Sequence, residues 1–283
     1  MAETAFQKQY RQEMIAGFEQ NQSLVRDTVT TETVIKGNEA EFLVADSGGA
    51  TAVTRGVNGL IPSRGDDNTQ TTVTLVEWHD LVKKTRFNIF ASQGDQRSLM
   101  QRTCMAVINR KIDSDIITEL NTGTVNTGTA TTASLSLVLR AKTILQNADV
   151  PWDTGLSALI TPAFEAYLMQ IAAYTSADYV DIKALANKGG GWDDKPRAKR
   201  WLDINWIVHP NLPGKGTSAE KCFMYHRSAI GHAANTGGMN TAVGYDQEQD
   251  YSFSRASIYM GTQILQNSGV VVMNHDGSAL VAA

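Results

Sequence analysis

Apolar and polar positions alternate along this chain with periods that change from segment to segment. Residues 4–20 place Phe6, Tyr10, Met14 and Phe18 at intervals of four, which is one stripe of a helix. Thr4 and Gln7 stand at capping-box spacing, where hydroxyl and amide each satisfy a backbone group at the helix start. Such a helix either docks on its own core or serves as an arm that packs on a neighbouring subunit. Residues 21–35, rich in Val, Thr and Ile, predict extended chain.

Residues 36–76 break the pattern. Glycines stand at positions 37, 48, 49, 56, 59 and 65, and Leu60 and Ile61 are the main large apolar side chains between Val44 and Val73. The flanking runs Glu41–Ala45 and Thr71–Val76 predict the two strands of a long hairpin. A hairpin of this composition cannot bury a core of its own, so it must lie on another surface or stay in solvent. Residues 77–91 predict a strand leading back to the body, with Phe87, Ile89 and Ala91 alternating with Arg86, Asn88 and Phe90.

A long helix is predicted from about Asp95 to Leu120, opened by Ser92 with Asp95 three residues on. Met100, Cys104, Ile108, Ile112, Ile116 and Leu120 lie four residues apart, joined by Val107 and Ile117. A spacing of four drifts about 40° per step against the helical period. The stripe therefore winds, and its two ends should touch different neighbours.

Residues 134–245 read as an α/β region. A helix is expected over Ser134–Ala148, a short strand over Leu156–Ile160, and a second helix opened by Thr161 as cap and Pro162 at the first helical position. Residues 187–200 read as a polar loop, Trp201–Val208 as one strand, and Lys221–His226 as another leading into Ser228–Ala234. Strand character returns over Tyr251–Leu265 and Val270–Asn274.

Composition narrows the class. A chain of 283 residues with 42% hydrophobic and 19% charged residues can bury a sizeable core. The net charge of −4 demands neither a nucleic-acid nor a membrane partner. Two cysteines, Cys104 and Cys222, exclude a disulfide framework and a cysteine-rich zinc site, which fits synthesis in a reducing compartment. No apolar run approaches membrane-spanning length, and the N-terminal residues lack the basic start and apolar stretch of a secretory signal.

Candidate chemistry is sparse. Gly214-Lys215-Gly216-Thr217 lacks the upstream glycine of a phosphate-binding loop and reads as a turn; Lys188–Gly191 reads as a flexible loop. None of the five histidines (His79, His209, His226, His232, His275) forms a helical metal-ligand pair. A hydrolase using Ser228 and His232 is conceivable, but the nucleophile elbow G-x-S-x-G is absent. Asp66–Asp67 and Asp193–Asp194 read as solvated loop acids or partners for arginine on another surface. Trp78, Trp201 and Trp206 read as core or interface anchors. The residues point to no catalytic group, metal ligand or cofactor, hence to no enzyme.

The order of segments (arm, long extension, long helix, α/β insertion, closing strands) resembles the major capsid proteins of tailed bacteriophages, with the Hong Kong 97-type fold. Three stretches carry the likeness: Arg55–Arg64 as the tip of the extension, Ser98–Leu120 as the long helix, and Arg255–Val272 as closing strands. The resemblance implies an α+β fold with an N-terminal arm (1–35), an E-loop and its stem (36–84), a P-domain (85–125 and 246–283) whose spine helix spans about 95–120, and an α/β A-domain (126–245). It implies a shell protein that forms hexamers and pentamers of an icosahedral phage head in the host cytoplasm, around double-stranded DNA held non-specifically. Copies of itself and a portal protein would be its partners, with a separate scaffolding protein or none, decoration proteins left open, and no membrane. The expected intersubunit contacts are Phe6, Tyr10, Met14 and Phe18 on the arm, and Arg55, Leu60, Ile61, Arg64, Asp66 and Asp67 on the extension. Some relatives crosslink through an E-loop lysine; Asp46–Thr72 contains none, so a non-covalent shell is expected. An encapsulin-like nanocompartment is the nearest alternative.

Overall fold

The computed structural model describes residues 23–34, 36–47, 49–65, 67–91, 96–175 and 198–281. The arm residues 1–22, including Phe6, Tyr10, Met14 and Phe18, lie outside them, as do Asp66, the Ser92–Asp95 cap, most of the 187–200 loop and Asp193–Asp194. The chain divides into two compact units. The first is built mainly from Glu77–Ile112 with Gly237–Tyr259; the second comprises Leu24–Val76, Asp113–Thr236 and Met260–Ala283.

The second unit opens with a 3-10 turn at Arg26–Thr28 and strand β1 (Thr30–Val34). The hairpin follows as β2 (Glu39–Asp46) and β3 (Asp67–Thr74), antiparallel, with Glu39 opposite Thr74 and Asp46 opposite Asp67. In the first unit, β4 (Val76–Thr85) leads into a short helix, α1 (Arg86–Ala91). The expected strand thus ends at Thr85. Its hydroxyl accepts the Asn88 N–H at 3.3 Å, and the Arg86 N–H is held by the Asp250 carbonyl at 3.3 Å. A threonine in capping position outweighs alternation over so few residues.

Helix α2 (Gln96–Leu120) is the long helix, and all six residues of its four-spaced stripe are buried. The expected change of neighbour along the stripe is not seen in the hydrogen bonds near its two ends, which all fall on one strand, Tyr251–Ile264. In the first unit the Cys104 thiol contacts the Ser254 carbonyl at 3.4 Å. In the second, Asp115 accepts from the Thr262 hydroxyl at 3.1 Å and Glu119 accepts the Ile264 N–H at 3.1 Å.

Helix α3 (Leu135–Asn147) is capped by the Ser134 hydroxyl, which accepts the Leu137 N–H. Then come β5 (Leu156–Ile160), α4 (Pro162–Leu168) with Thr161 capping Phe164 N–H, α5 (Ala172–Thr175), β6 (Ala198–Trp201), β7 (Ile204–Val208) and β8 (Glu220–His226). The single strand expected over Trp201–Val208 is a hairpin. Leu202 and Asp203 both take positive φ, 55° and 65°, which reverses the chain in a two-residue turn. Without Asn or Gly at these positions the turn leaves no sequence signature. The hairpin brings Trp201 and Trp206 together, and the Trp206 indole N–H donates to the Trp201 carbonyl at 3.0 Å. Both tryptophans are core residues.

The remaining strands are β9 (Ile230–Asn235), β10 (Asn240–Asp246), β11 (Tyr251–Ile264) and β12 (Val270–His275). One sheet is ordered β1-β9-β11-β10, with β4 also paired to β11; the other is ordered β12-β8-β5-β7-β6. Strand β12 pairs antiparallel with β8, Val270 opposite Tyr225, in the second of these sheets. Its four apolar residues are buried there. The Thr/Gly-rich stretch after α2 is tied to the same strand, with Thr127 N–H donating to the Val272 carbonyl at 3.0 Å.

Candidate assembly surface

The hairpin is two objects in one. Its base is anchored within the subunit: Ala40, Phe42 and Val73 are buried against Ala233, with Val34, Leu75 and Leu265 packed around them. Burying Phe42 and Val73 contributes about 1.5–3 kcal/mol each. The base thus lies on another surface of the subunit, one of the two outcomes expected of a hairpin with no core of its own. Alternation explains it, since Ala40 and Phe42 share one face of β2 while Glu39, Glu41 and Leu43 face the other.

Past Asp46 and Asp67 the chain leaves this support. These two carboxylates stand directly opposite each other, and like charges in that position disfavour the pairing. Beyond them, hydrogen bonds within the tip organise its turn. Gly56 N–H donates to the Leu60 carbonyl at 3.0 Å, Gly59 N–H donates to the Gly56 carbonyl at 2.9 Å, and the Arg55 guanidinium reaches the Gly59 carbonyl at 3.4 Å. Leu60 and Ile61 are 72% and 69% exposed, and Val53 and Val57 are exposed beside them. Arg64 and Asp67 are exposed as well. The structure thus brings Arg55, Leu60, Ile61 and Arg64 to one projecting tip, with Asp67 at its neck.

The residues considered for hydrolysis are arranged differently from the sequence pairing. His232 is fully buried, its Nδ1 2.9 Å from the Thr262 hydroxyl. The imidazole beside Ser228 belongs to His226, with Nδ1 2.7 Å from the Ser228 hydroxyl and Nε2 2.9 Å from Asp153 Oδ1. The Ser228 N–H also donates to Nδ1, at 3.3 Å, so the imidazole proton resides on Nε2 and points to Asp153. The Gly155 N–H, and after it His226, hold the Asp153 carboxyl below the usual range. This trio borders a cavity of about 480 Å³ that is also lined by Asp27, Thr30, Asn205 and Arg227. Its local role is to cap the 3-10 turn Arg227–Ala229. Gly214–Thr217 is a turn, as expected: Thr217 N–H donates to the Gly214 carbonyl at 3.1 Å, and Gly216 N–H donates to Glu220 Oε1 at 2.5 Å. Among the described residues no cluster of three His, Cys, Asp or Glu side chains could hold a metal ion, and no helix is long and apolar enough to cross a membrane.

A sequence-family model described as phage capsid protein matches residues 2–277, nearly the whole chain. The chain belongs to the phage capsid protein family. Several solved structures are similar to this capsid subunit over nearly its whole length. The chain from Mycobacterium phage Che8 is 15% identical, with TM-score 0.71 over 96% of this chain and 98% of that one. The capsid of a native GTA particle is 13% identical, with TM-score 0.69 over 97% and 96%. The chain from Microbacterium phage Oxtober96 is 12% identical, with TM-score 0.68 over 96% of each. These likenesses establish the fold, which is the Hong Kong 97-type capsid fold. No curated protein matches the chain by sequence. The capsid subunit is a major capsid protein, and its place is the virion shell. The family and its structural relatives favour this reading over the encapsulin-like one.

Proposed function

We propose that the subunit builds hexamers and pentamers of an icosahedral head, and that its E-loop, within residues 36–84, clamps the adjacent subunit. The observation that carries this reading is the division of the hairpin into an anchored base and a projecting tip that exposes Leu60 and Ile61. A beam fixed at one end and apolar at the other is built to reach a second surface. Burying the two tip side chains on a neighbour contributes about 1.5–3 kcal/mol each before the cost of association. Arg55, Arg64, Asp66 and Asp67 supply intersubunit ion pairs at the rim, each worth about 0–1 kcal/mol where exposed. The stability of the shell then comes from repetition of one contact over many copies.

In this reading the arm side chains Phe6, Tyr10, Met14 and Phe18 pack on a neighbour or on the inner side of the shell. The P-domain (85–125 and 246–283) and A-domain (126–245) form the shell wall, with A-domain copies meeting at the capsomer centre. The shell encloses double-stranded DNA through loose, non-specific contacts, in keeping with a net charge of −4. A portal protein is a further partner, and scaffolding is by a separate protein or by none. The shell is held non-covalently, since Asp46–Thr72 offers no lysine for a crosslink. Deletion of residues 48–67 tests the clamp: folded, soluble subunits that form no shells under negative-stain microscopy support it, and normal heads overturn it.

A further inference from the structure

Asp113 interrupts the buried face of α2 with a charge. It is 1% exposed and stands next to Ile112, which is wholly buried. Its neighbours explain why a carboxylate is there. The Leu24 N–H donates to Oδ2 at 3.0 Å, the Val25 N–H donates to Oδ1 at 3.3 Å, and His209 Nε2 lies 3.4 Å from Oδ2. His209 is buried too, and its Nδ1 accepts the Asn211 N–H at 3.2 Å. At 3.4 Å, Nε2 makes no hydrogen bond to the carboxylate. Both oxygens are engaged by groups far away in sequence, the two backbone amides at the point where residues 1–22 join the body.

The chain just beyond is held again. The hydroxyls of Thr28 and Tyr225 bond to each other, the Thr30 hydroxyl donates to the Arg227 carbonyl at 3.0 Å, and Arg227 Nε donates to the Val29 carbonyl at 3.2 Å. These contacts fix residues 28–30 to the corner between β8 and β9. Asp113 alone among these side chains reaches back to Leu24 and Val25.

We infer that Asp113 is a latch that pins residues 24–25, and so fixes the origin of the N-terminal arm on the subunit. Hydrogen bonds to a charged acceptor are stronger than neutral ones, and a carboxylate satisfies two adjacent amides where an apolar side chain of similar size would leave both orphaned. In a closed shell every copy needs its arm to start from the same point. That consequence rests on the shell reading; the latch itself is a property of the single subunit.

Hydrogen exchange read by mass spectrometry on purified, unassembled subunits tests it. In Asp113→Ala the peptide covering residues 24–30 exchanges on the order of tenfold faster than in wild type, while peptides from β5 and β8 keep their protection. Trypsin cleavage after Arg26 accelerates in parallel. In Asp113→Asn, which keeps the shape and one acceptor, exchange of the same peptide rises by a smaller factor. Unchanged exchange at residues 24–30 in a folded Asp113→Ala subunit overturns the latch. Where Asp113→Ala does not fold, unchanged exchange in Asp113→Asn overturns it. Shell yield by sedimentation is scored separately: a released peptide with normal shells leaves the latch standing and removes its role in assembly.

Discussion

The ring of Phe42 lies directly against Gly231: a Cβ on that glycine would stand 2.9 Å from Phe42 Cε2. Strand β9 thus leaves a gap for the Phe42 side chain at the base of the hairpin. A second close approach lies nearby, where a Cβ on Gly261 would stand 2.2 Å from the Thr74 carbonyl oxygen. The first obstacle is a side chain and can yield; the second is backbone and cannot. Gly231→Ala should cost about 1–3 kcal/mol through overpacking, and Gly261→Ala more, because β3 itself must move. Denaturant midpoints of the unassembled subunit give the order, and equal costs for the two would contradict it.

The tip should behave in the opposite way. Leu60→Asp with Ile61→Asp changes side chains that touch little within the subunit, so its stability should stay within about 0.5 kcal/mol of wild type. Shell formation should be lost. Thermal melting and sedimentation velocity on one preparation separate the two effects.

Acid should weaken the subunit through buried histidines. Burial, with Arg26 adding to it, pushes His232 down to about 4, and its Nε2 meets no hydrogen-bond partner among the described residues. Burial pushes His275 down as well. The folded subunit takes up a proton on His232 only near pH 4, whereas the unfolded chain takes it up near the ordinary value of about 6.5. The stabilising contribution is complete above pH 6.5 and is lost as the pH falls from 6.5 towards 4. Its size is about 3 kcal/mol at most. His232→Asn should flatten the slope of stability against pH in that window while lowering stability at pH 7. An unchanged slope in urea titrations would refute the assignment.

Glu220 organises the end of the β12-β8 pairing. It is 1% exposed, Oε2 accepts the Thr161 hydroxyl at 2.6 Å, and Oε1 accepts the Gly216 N–H. Glu220→Ala leaves both donors unpartnered, at about 1–3 kcal/mol each, and Glu220→Gln should recover part of the loss. The same residues dictate a site of damage: the Gly214–Thr217 turn should become a point of proteolytic nicking in Glu220→Ala and not in Glu220→Gln.

Much of the fold was legible in the order of residues. The four-spaced stripe of α2 and the caps at Ser134 and Thr161 are local signals, because backbone hydrogen bonding within a few residues decides them. The misses have equally local causes. Thr85 caps a helix inside a run whose alternation reads as strand, and the turn at Leu202–Asp203 uses residues that rarely take positive φ. Of the assembly surface, Leu60 and Ile61 stood out as the large apolar side chains of a polar segment. Phe42 did not reveal that it anchors the base, because its partner Ala233 lies on another strand far along the chain.

The sequence by itself determined that a long extension precedes a long helix, and that its distal half is too polar to form a core. Periodicity and composition are properties of neighbouring residues, so they survive without coordinates. Only the tertiary structure decided where that extension is held and where it is released. Packing at Gly231 and Gly261, the pairing of β12 with β8, and the carboxylate of Asp113 reaching Leu24 all depend on residues brought together from distant points in the chain. No periodicity records such meetings, because their energy comes from shape and charge across space.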